Sequence, residues 1–168
     1  MRETRFFEPA SVDEAVSVLA GDGDAKCLAG GASLVAMLNA RLVDPDRLVS
    51  LRRIDGLRPI AGNEDGSARI GAGALHREVA QSEALAGGNA VVREAASVIA
   101  NPVIREMGTM GGSISHCDPA ADYPPALVAA EAEVEIAGAG GRRRVAVSEF
   151  FLDWYTTVLE PGDLVTAV

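Results

Sequence analysis

The sequence predicts an α+β protein of two small α/β subdomains with mixed sheets, residues 1–56 and 57–168. Three observations carry this. Strand-like and helix-like runs alternate with neither an eightfold nor a regular βαβ repeat, and no internal duplication is present. A strand, a glycine turn and a helix follow one another without a break over residues 26–41, and two hairpin signatures stand later in the chain.

Ser11-Val12-Asp13-Glu14 reads as a capping box, and Val12, Ala15, Val16 and Leu19 then fall at helical spacing before Gly21. The polar turn 21–24 leads into a brief buried strand, Lys26 to Ala29, and directly into Gly30-Gly31-Ala32-Ser33. Leu34, Met37, Leu38 and Arg41 keep helical spacing until Asp44-Pro45 ends the run. Residues 47–51 return as a strand and close the first unit.

In the second unit, 58–61 and 68–71 flank the turn Asn63-Glu64-Asp65-Gly66, which predicts a hairpin. Residues 76–85 and 88–99 read as helices, with His76 a cap or packing residue of the first. Tyr123 to about Ala130 reads as a helix that accepts Pro124 and Pro125 in its first turn. Val134–Ile136 and Val145–Val147 form a second hairpin around Gly138–Gly141, and Arg142 to Arg144 its solvated shoulder.

At 168 residues the chain can bury a sizeable core, and 48% hydrophobic with 23% charged residues is the composition of an ordinary globular protein. A net charge of −9 without a basic stripe disfavours nucleic acid as a partner. No apolar run is long enough for a membrane span, and the first residues have no apolar signal core, which predicts a cytoplasmic protein. Cys27 and Cys117 are too far apart in sequence for a C-x-x-C site and are expected as buried thiols in a reducing compartment.

Two glycine stretches carry the candidate chemistry. Glycine permits positive φ and close approach of a ligand to main-chain amides, and amides turned to one side make a concave nest for an anion. Gly30-Gly31 stands before a helix whose N-terminus offers unpaired N–H groups and the positive end of the macrodipole. It lacks the G-K-[ST] of a P-loop and the third glycine of a dinucleotide fingerprint. Gly108-Thr109-Met110-Gly111-Gly112-Ser113 adds two hydroxyls, and its flanks read as strand-like. A packing role for the first stretch and a plain turn between strands for the second are the alternatives.

Taken together, Leu28–Leu34, Arg69–Gly73, Asn101–Arg105, Gly108–Ser113, Asp118–Asp122, Glu149–Phe151 and Leu159–Leu164 resemble the FAD-binding medium subunit of molybdenum hydroxylases. The likeness is greatest to carbon monoxide dehydrogenase medium chains, kin to the flavin domain of xanthine dehydrogenase. It covers nearly the whole chain. The resemblance implies an FAD-binding fold of the p-cresol methylhydroxylase type, with FAD between the subdomains. It implies that Ala29, Gly30, Gly31, Ala32, Ser33 and Leu34, with Thr109, Met110, Gly111, Gly112 and Ser113, cradle the pyrophosphate. Asp122 would accept from the ribityl hydroxyls, or cap the Tyr123 helix, or both. Leu164 and Val165 complete the implied cofactor set. Ala32 stands where relatives often carry a polar residue, and Met110 where isoleucine is commoner.

His116-Cys117-Asp118 invites a metal or nucleophile reading, but neighbours in an extended chain point to opposite faces, so no metal ligands are assigned. No catalytic triad or acid–base pair is found either. The resemblance implies a flavoprotein subunit of an oxidoreductase. Electrons would pass from a molybdenum-cofactor large subunit through an iron–sulfur small subunit to FAD and then to an external acceptor, and the isolated chain would be inactive. A non-catalytic nucleotide-binding or assembly module of the same fold is the alternative. The family's further C-terminal domain has no counterpart in the sequence, so the face that it would cover is expected to be apolar and prone to self-association.

Overall fold

A computed structural model describes residues 3–168, so the first two residues of the expected N-terminal subdomain lie outside the described range. The chain enters as β1 (Arg5–Phe7) and α1 (Val12–Leu19). The Ser11 hydroxyl accepts from the Glu14 N–H at 3.1 Å, and the Glu14 carboxylate reaches back to the Ala10 N–H at 2.8 Å. Local chemistry alone thus starts this helix. It buries Ala15, Val16 and Leu19.

β2 (Ala25–Leu28), α2 (Leu34–Asn39) and β3 (Arg47–Ser50) follow, and the three strands form a parallel sheet in the order β1-β3-β2. The middle strand is the buried one and includes Arg47. A charge is tolerated there because its guanidinium donates to the carbonyls of Val18, Gly21 and Gly23 at 2.6, 2.6 and 3.1 Å. Those bonds clamp the polar turn between α1 and β2.

Next comes the hairpin of β4 (Ile60–Gly62) and β5 (Ala68–Ile70), where Gly66 takes φ +86°. Five helices follow by Ala146: α3 (His76–Gln81), α4 (Ala90–Val98), α5 (Pro102–Arg105), α6 (Met110–His116) and α7 (Tyr123–Ala129). The last of them leads into the hairpin of β6 (Glu133–Gly138) and β7 (Gly141–Ala146). The chain closes with α8 (Val147–Phe150), a small hairpin of β8 (Phe151–Asp153) and β9 (Thr156–Thr157), and β10 (Leu164–Ala167).

β10 is an interior strand. It pairs antiparallel with β6 on one side. On the other, Ile70 and Val168 exchange N–H···O bonds of 2.7 and 2.9 Å, and the Ala72 N–H donates to the Thr166 carbonyl at 3.0 Å. All four of its residues are buried. The main core gathers α3, α4, α6 and α7 around Ile136, Phe150 and Val165, while a second cluster packs Val16, Leu19 and Val49 against Leu57, Ala137 and Leu164.

Several expectations change. The helices read at 76–85 and 88–99 are shorter, His76–Gln81 and Ala90–Val98, and Val147 opens α8 instead of extending the strand before it. The strand-like flanks of Gly108–Ser113 give way to helix on the C-terminal side, since Thr109 is the N-cap of α6. Two glycines and two serines weaken intrinsic helix propensity, but the cap and the burial of Met110 and Ile114 override it. His116 and Cys117 therefore do not lie in an extended chain: the first ends α6 and the second sits left-handed at φ 52°, ψ 45°. Cys117 is buried, whereas Cys27 is half-buried, its thiol pushed up to about 12 by desolvation against the opposing charge of Lys26.

Candidate functional site

The two glycine stretches, about eighty residues apart in sequence, are in contact. A Cβ on Gly30 would run into the Met107 carbonyl, with the Met107 carbonyl carbon at 2.6 Å and the Gly108 Cα at 3.2 Å. One residue earlier in the first stretch and four later in the second, a Cβ on Gly112 would stand 3.9 Å from the Ala29 Cβ. Backbone meets backbone here, which only glycine permits.

Their amides differ in what they do. Among the described residues, the N–H groups of Ala29, Gly30, Gly31, Ala32, Ser33 and Leu34 donate to no acceptor, although most of these residues are half-buried. Buried or half-buried main-chain donors are almost always paired, so six consecutive free ones define an acceptor-seeking surface. Gly31 turns the chain at φ +79°, and α2 begins at Leu34. In the second stretch the Met110 and Gly111 amides are already used, donating to Ala74 and Ala72 carbonyls at 2.9 and 2.8 Å. The Gly112 N–H donates to Thr109 Oγ1 at 3.1 Å. Thr109 therefore keeps its hydroxyl hydrogen for another acceptor.

The residues singled out from sequence separate accordingly. Ala29 meets the exposed Gly112 and Gly30 meets Gly108 where the loops touch, Gly31 to Leu34 continue from there into α2, and Thr109 and the half-buried Ser113 flank Gly112 on α6. Met110 turns into the core, and Gly111 packs against Ala72, whose Cβ would lie 2.5 Å from a Cβ on Gly111. Leu164 and Val165 point into the two cores at 4% and 3% exposure, which leaves only their backbone for any ligand. Asp122 occupies the N-cap position of α7 with no side-chain cap bond. It is exposed, and among the described residues its carboxylate accepts no hydrogen bond and forms no ion pair.

Behind the second stretch lies a support that spacing in the sequence did not reveal. His76, 4% exposed, donates its main-chain N–H to the Gly108 carbonyl at 3.0 Å, and its ring Nδ1 is 3.1 Å from the Tyr123 hydroxyl. A Cβ on Gly108 would strike His76 Nε2, so the glycine is set by the ring beneath it. Burial, with the nearby Arg105 charge, lowers the His76 pKa to about 4, and burial with the Asp122 charge raises that of Tyr123. A neutral histidine bonded to an un-ionised tyrosine is a positioning pair, not an acid–base pair for neutral pH. At the far end of α6, the His116 ring meets Tyr155 at 5.3 Å. Among the described residues, no group of three or more His, Cys, Asp or Glu could hold a metal, and no helix is long and apolar enough to cross a membrane.

A family model described as the FAD binding domain in molybdopterin dehydrogenase matches residues 2–168. The carbon monoxide dehydrogenase medium chain of Hydrogenophaga pseudoflava is 39% identical over 165 residues, which cover 97% of this chain and 57% of that one. The nicotine 6-hydroxylase medium subunit of Paenarthrobacter nicotinovorans is 34% identical over 164 residues, 98% of this chain and 58% of the relative. Among solved structures, quinoline 2-oxidoreductase from Pseudomonas putida 86 superposes with a TM-score of 0.93 at 33% identity, covering 98% of this chain and 57% of that one. The Cu,Mo-CO dehydrogenase in its cyanide-inactivated form gives 0.92 at 38% identity, with coverage of 98% and 57%. The chain spans somewhat more than half the length of the relatives it matches.

Proposed function

Because the chain belongs to the family of FAD-binding domains of molybdopterin dehydrogenases, we propose that it is the electron-transferring flavin subunit of a molybdenum hydroxylase. FAD is the cofactor of this family, and the fold is its α+β FAD-binding fold. The residues present fit that group: six free amides on one loop, pressed against a second glycine loop, suit a diphosphate without any lysine or arginine. That run of unpaired donors is the observation that carries the reading.

In this reading Ala29 to Leu34 hold the pyrophosphate through main-chain N–H groups, each charge-assisted bond contributing about 1.5–3 kcal/mol. Thr109 and Ser113 add hydroxyl donors, and Gly112 leaves room for the phosphate to approach. Met110, Gly111, Leu164 and Val165 hold the second loop and the strand behind it from the core side. Asp122 accepts from the ribityl hydroxyls, a role supported by the absence of any cap bond at its carboxylate. Bound FAD supplies the redox chemistry; this chain's residues bind and orient it. A molybdenum-cofactor large subunit and an iron–sulfur small subunit would deliver the electrons, in the cytoplasm, and this chain alone would oxidise no substrate.

The test is titration of FAD into the purified chain, followed by calorimetry and visible absorption. One FAD per chain is expected, released by acid precipitation, with ADP competing and FMN binding more weakly. Absence of FAD uptake, or FMN preferred over FAD, would refute the proposal. Substrate oxidation by the purified chain without partners would refute the subunit role.

A further inference from the structure

The arrangement along α6 points past the diphosphate. Thr109, Gly112, Ser113 and His116 recur at i, i+3, i+4 and i+7 and so form one stripe, whereas Met110, Gly111 and Ile114 on the opposite side are buried. The stripe starts at the loop contact and ends at an aromatic pair. His116 packs on Tyr155 with ring centroids 5.3 Å apart and planes 54° apart. Tyr155 belongs to the tip of the β8–β9 hairpin and is 58% exposed, with Trp154 beside it at 75%.

Hydrogen bonds tie that tip to the end of α6. The Tyr155 N–H donates to the Cys117 carbonyl at 2.9 Å, and the carbonyl oxygens of Asp153 and Thr156 lie 3.4 and 3.5 Å from the Cys117 sulfur, within reach of its single S–H. Tyr155 takes φ +54°, a left-handed conformation that a bulky residue adopts only when its surroundings enforce it. An anchored, strained, exposed aromatic ring held against the end of the stripe is built to present a face.

We propose that Tyr155, backed by His116, stacks against the isoalloxazine ring of FAD. This rests on the FAD reading above and deepens it. Seven helical residues at 1.5 Å rise separate the two ends of α6 by about 10 Å, a span suited to the ribityl chain between diphosphate and flavin. The stripe itself carries only small or polar groups up to His116, which suits a polyol better than a ring.

The experiment compares Tyr155→Asn and Tyr155→Phe with the parent chain. Asparagine tolerates the left-handed backbone and keeps the amide bonded to Cys117, so the hairpin is preserved while the ring is lost. FAD binding is read by flavin fluorescence and by the shape of the visible bands, and ADP binding by calorimetry. In the parent and in Tyr155→Phe, bound flavin should be strongly quenched with shifted bands. In Tyr155→Asn the quenching should be lost and the FAD dissociation constant should rise about three- to tenfold, with that for ADP unchanged. Unchanged quenching and affinity in Tyr155→Asn overturns the proposal. So does an equal weakening of ADP, which would place the adenine arm at the hairpin. Failure of the parent to take up FAD sinks both this inference and the reading it rests on, whereas uptake with a Tyr155-independent spectrum sinks this one alone.

Discussion

Gly112→Ala separates ligand binding from folding at a single position. The added Cβ would stand 2.8 Å from Thr109 Oγ1, close enough to push the hydroxyl away from the Gly112 N–H that it caps at 3.1 Å. Loss of an N-cap bond costs about 1 kcal/mol. Alanine in place of glycine inside a helix returns about 0.8–1 kcal/mol. The two nearly cancel, and no backbone atom obstructs the new methyl, since Gly112 is exposed. The melting temperature should therefore stay within about 2–4 °C of the parent. FAD affinity should fall at least tenfold, because the methyl occupies the approach between Ala29 and Thr109 and disturbs the hydroxyl that faces the phosphate. Gly112→Val, with two more methyls in the same gap, should bind no measurable FAD. Differential scanning calorimetry with and without FAD, beside a binding titration, reads both quantities. A variant that melts like the parent and binds FAD equally well would show that the phosphate does not pass this residue.

Gly30→Ala should behave in the opposite way, because its Cβ meets the fixed Met107 carbonyl and not a rotatable side chain; overpacking of about 1–3 kcal/mol should lower the melting temperature even without ligand, and an unchanged melt would place the two loops further apart than they stand. Asp122→Asn should leave stability unaltered, since the carboxylate caps nothing, while weakening FAD binding; loss of stability instead would restore the helix-cap role. His76, held at about 4 in the fold against an ordinary value of 6.5, makes stability fall with acid. The folded value lies below the unfolded one, so the unfolded chain takes up the proton first. The stabilisation is complete above about pH 6.5 and is lost as pH drops toward 4, by about 3 kcal/mol. Urea midpoints of His76→Gln measured across that window should show a shallower pH slope, and an identical slope would assign the acid sensitivity elsewhere.

What the residues determined by themselves is local or backbone chemistry. The Ser11–Glu14 box starts α1, Asn63–Gly66 turns β4 into β5, and the glycine pairs mark where main chain must come close to something, because caps, turns and positive φ are decided within a few residues. The same locality misled at Gly108–Ser113. A glycine- and serine-rich run has weak helix propensity, and its helix exists because Thr109 caps it and Met110 and Ile114 are buried by residues remote in the chain. Only the tertiary structure decided that Gly30 touches Met107, that His76 lies under Gly108, and that β10 runs between β6 and the end of β5. Each of these joins residues separated by dozens of positions, where no period or spacing carries a signal. It was likewise only in three dimensions that the amides of 29–34 proved to have no acceptor among the described residues and those of Met110 and Gly111 proved engaged. Hydrogen-bond partners are a property of what lies opposite a backbone group, and what lies opposite is set by packing.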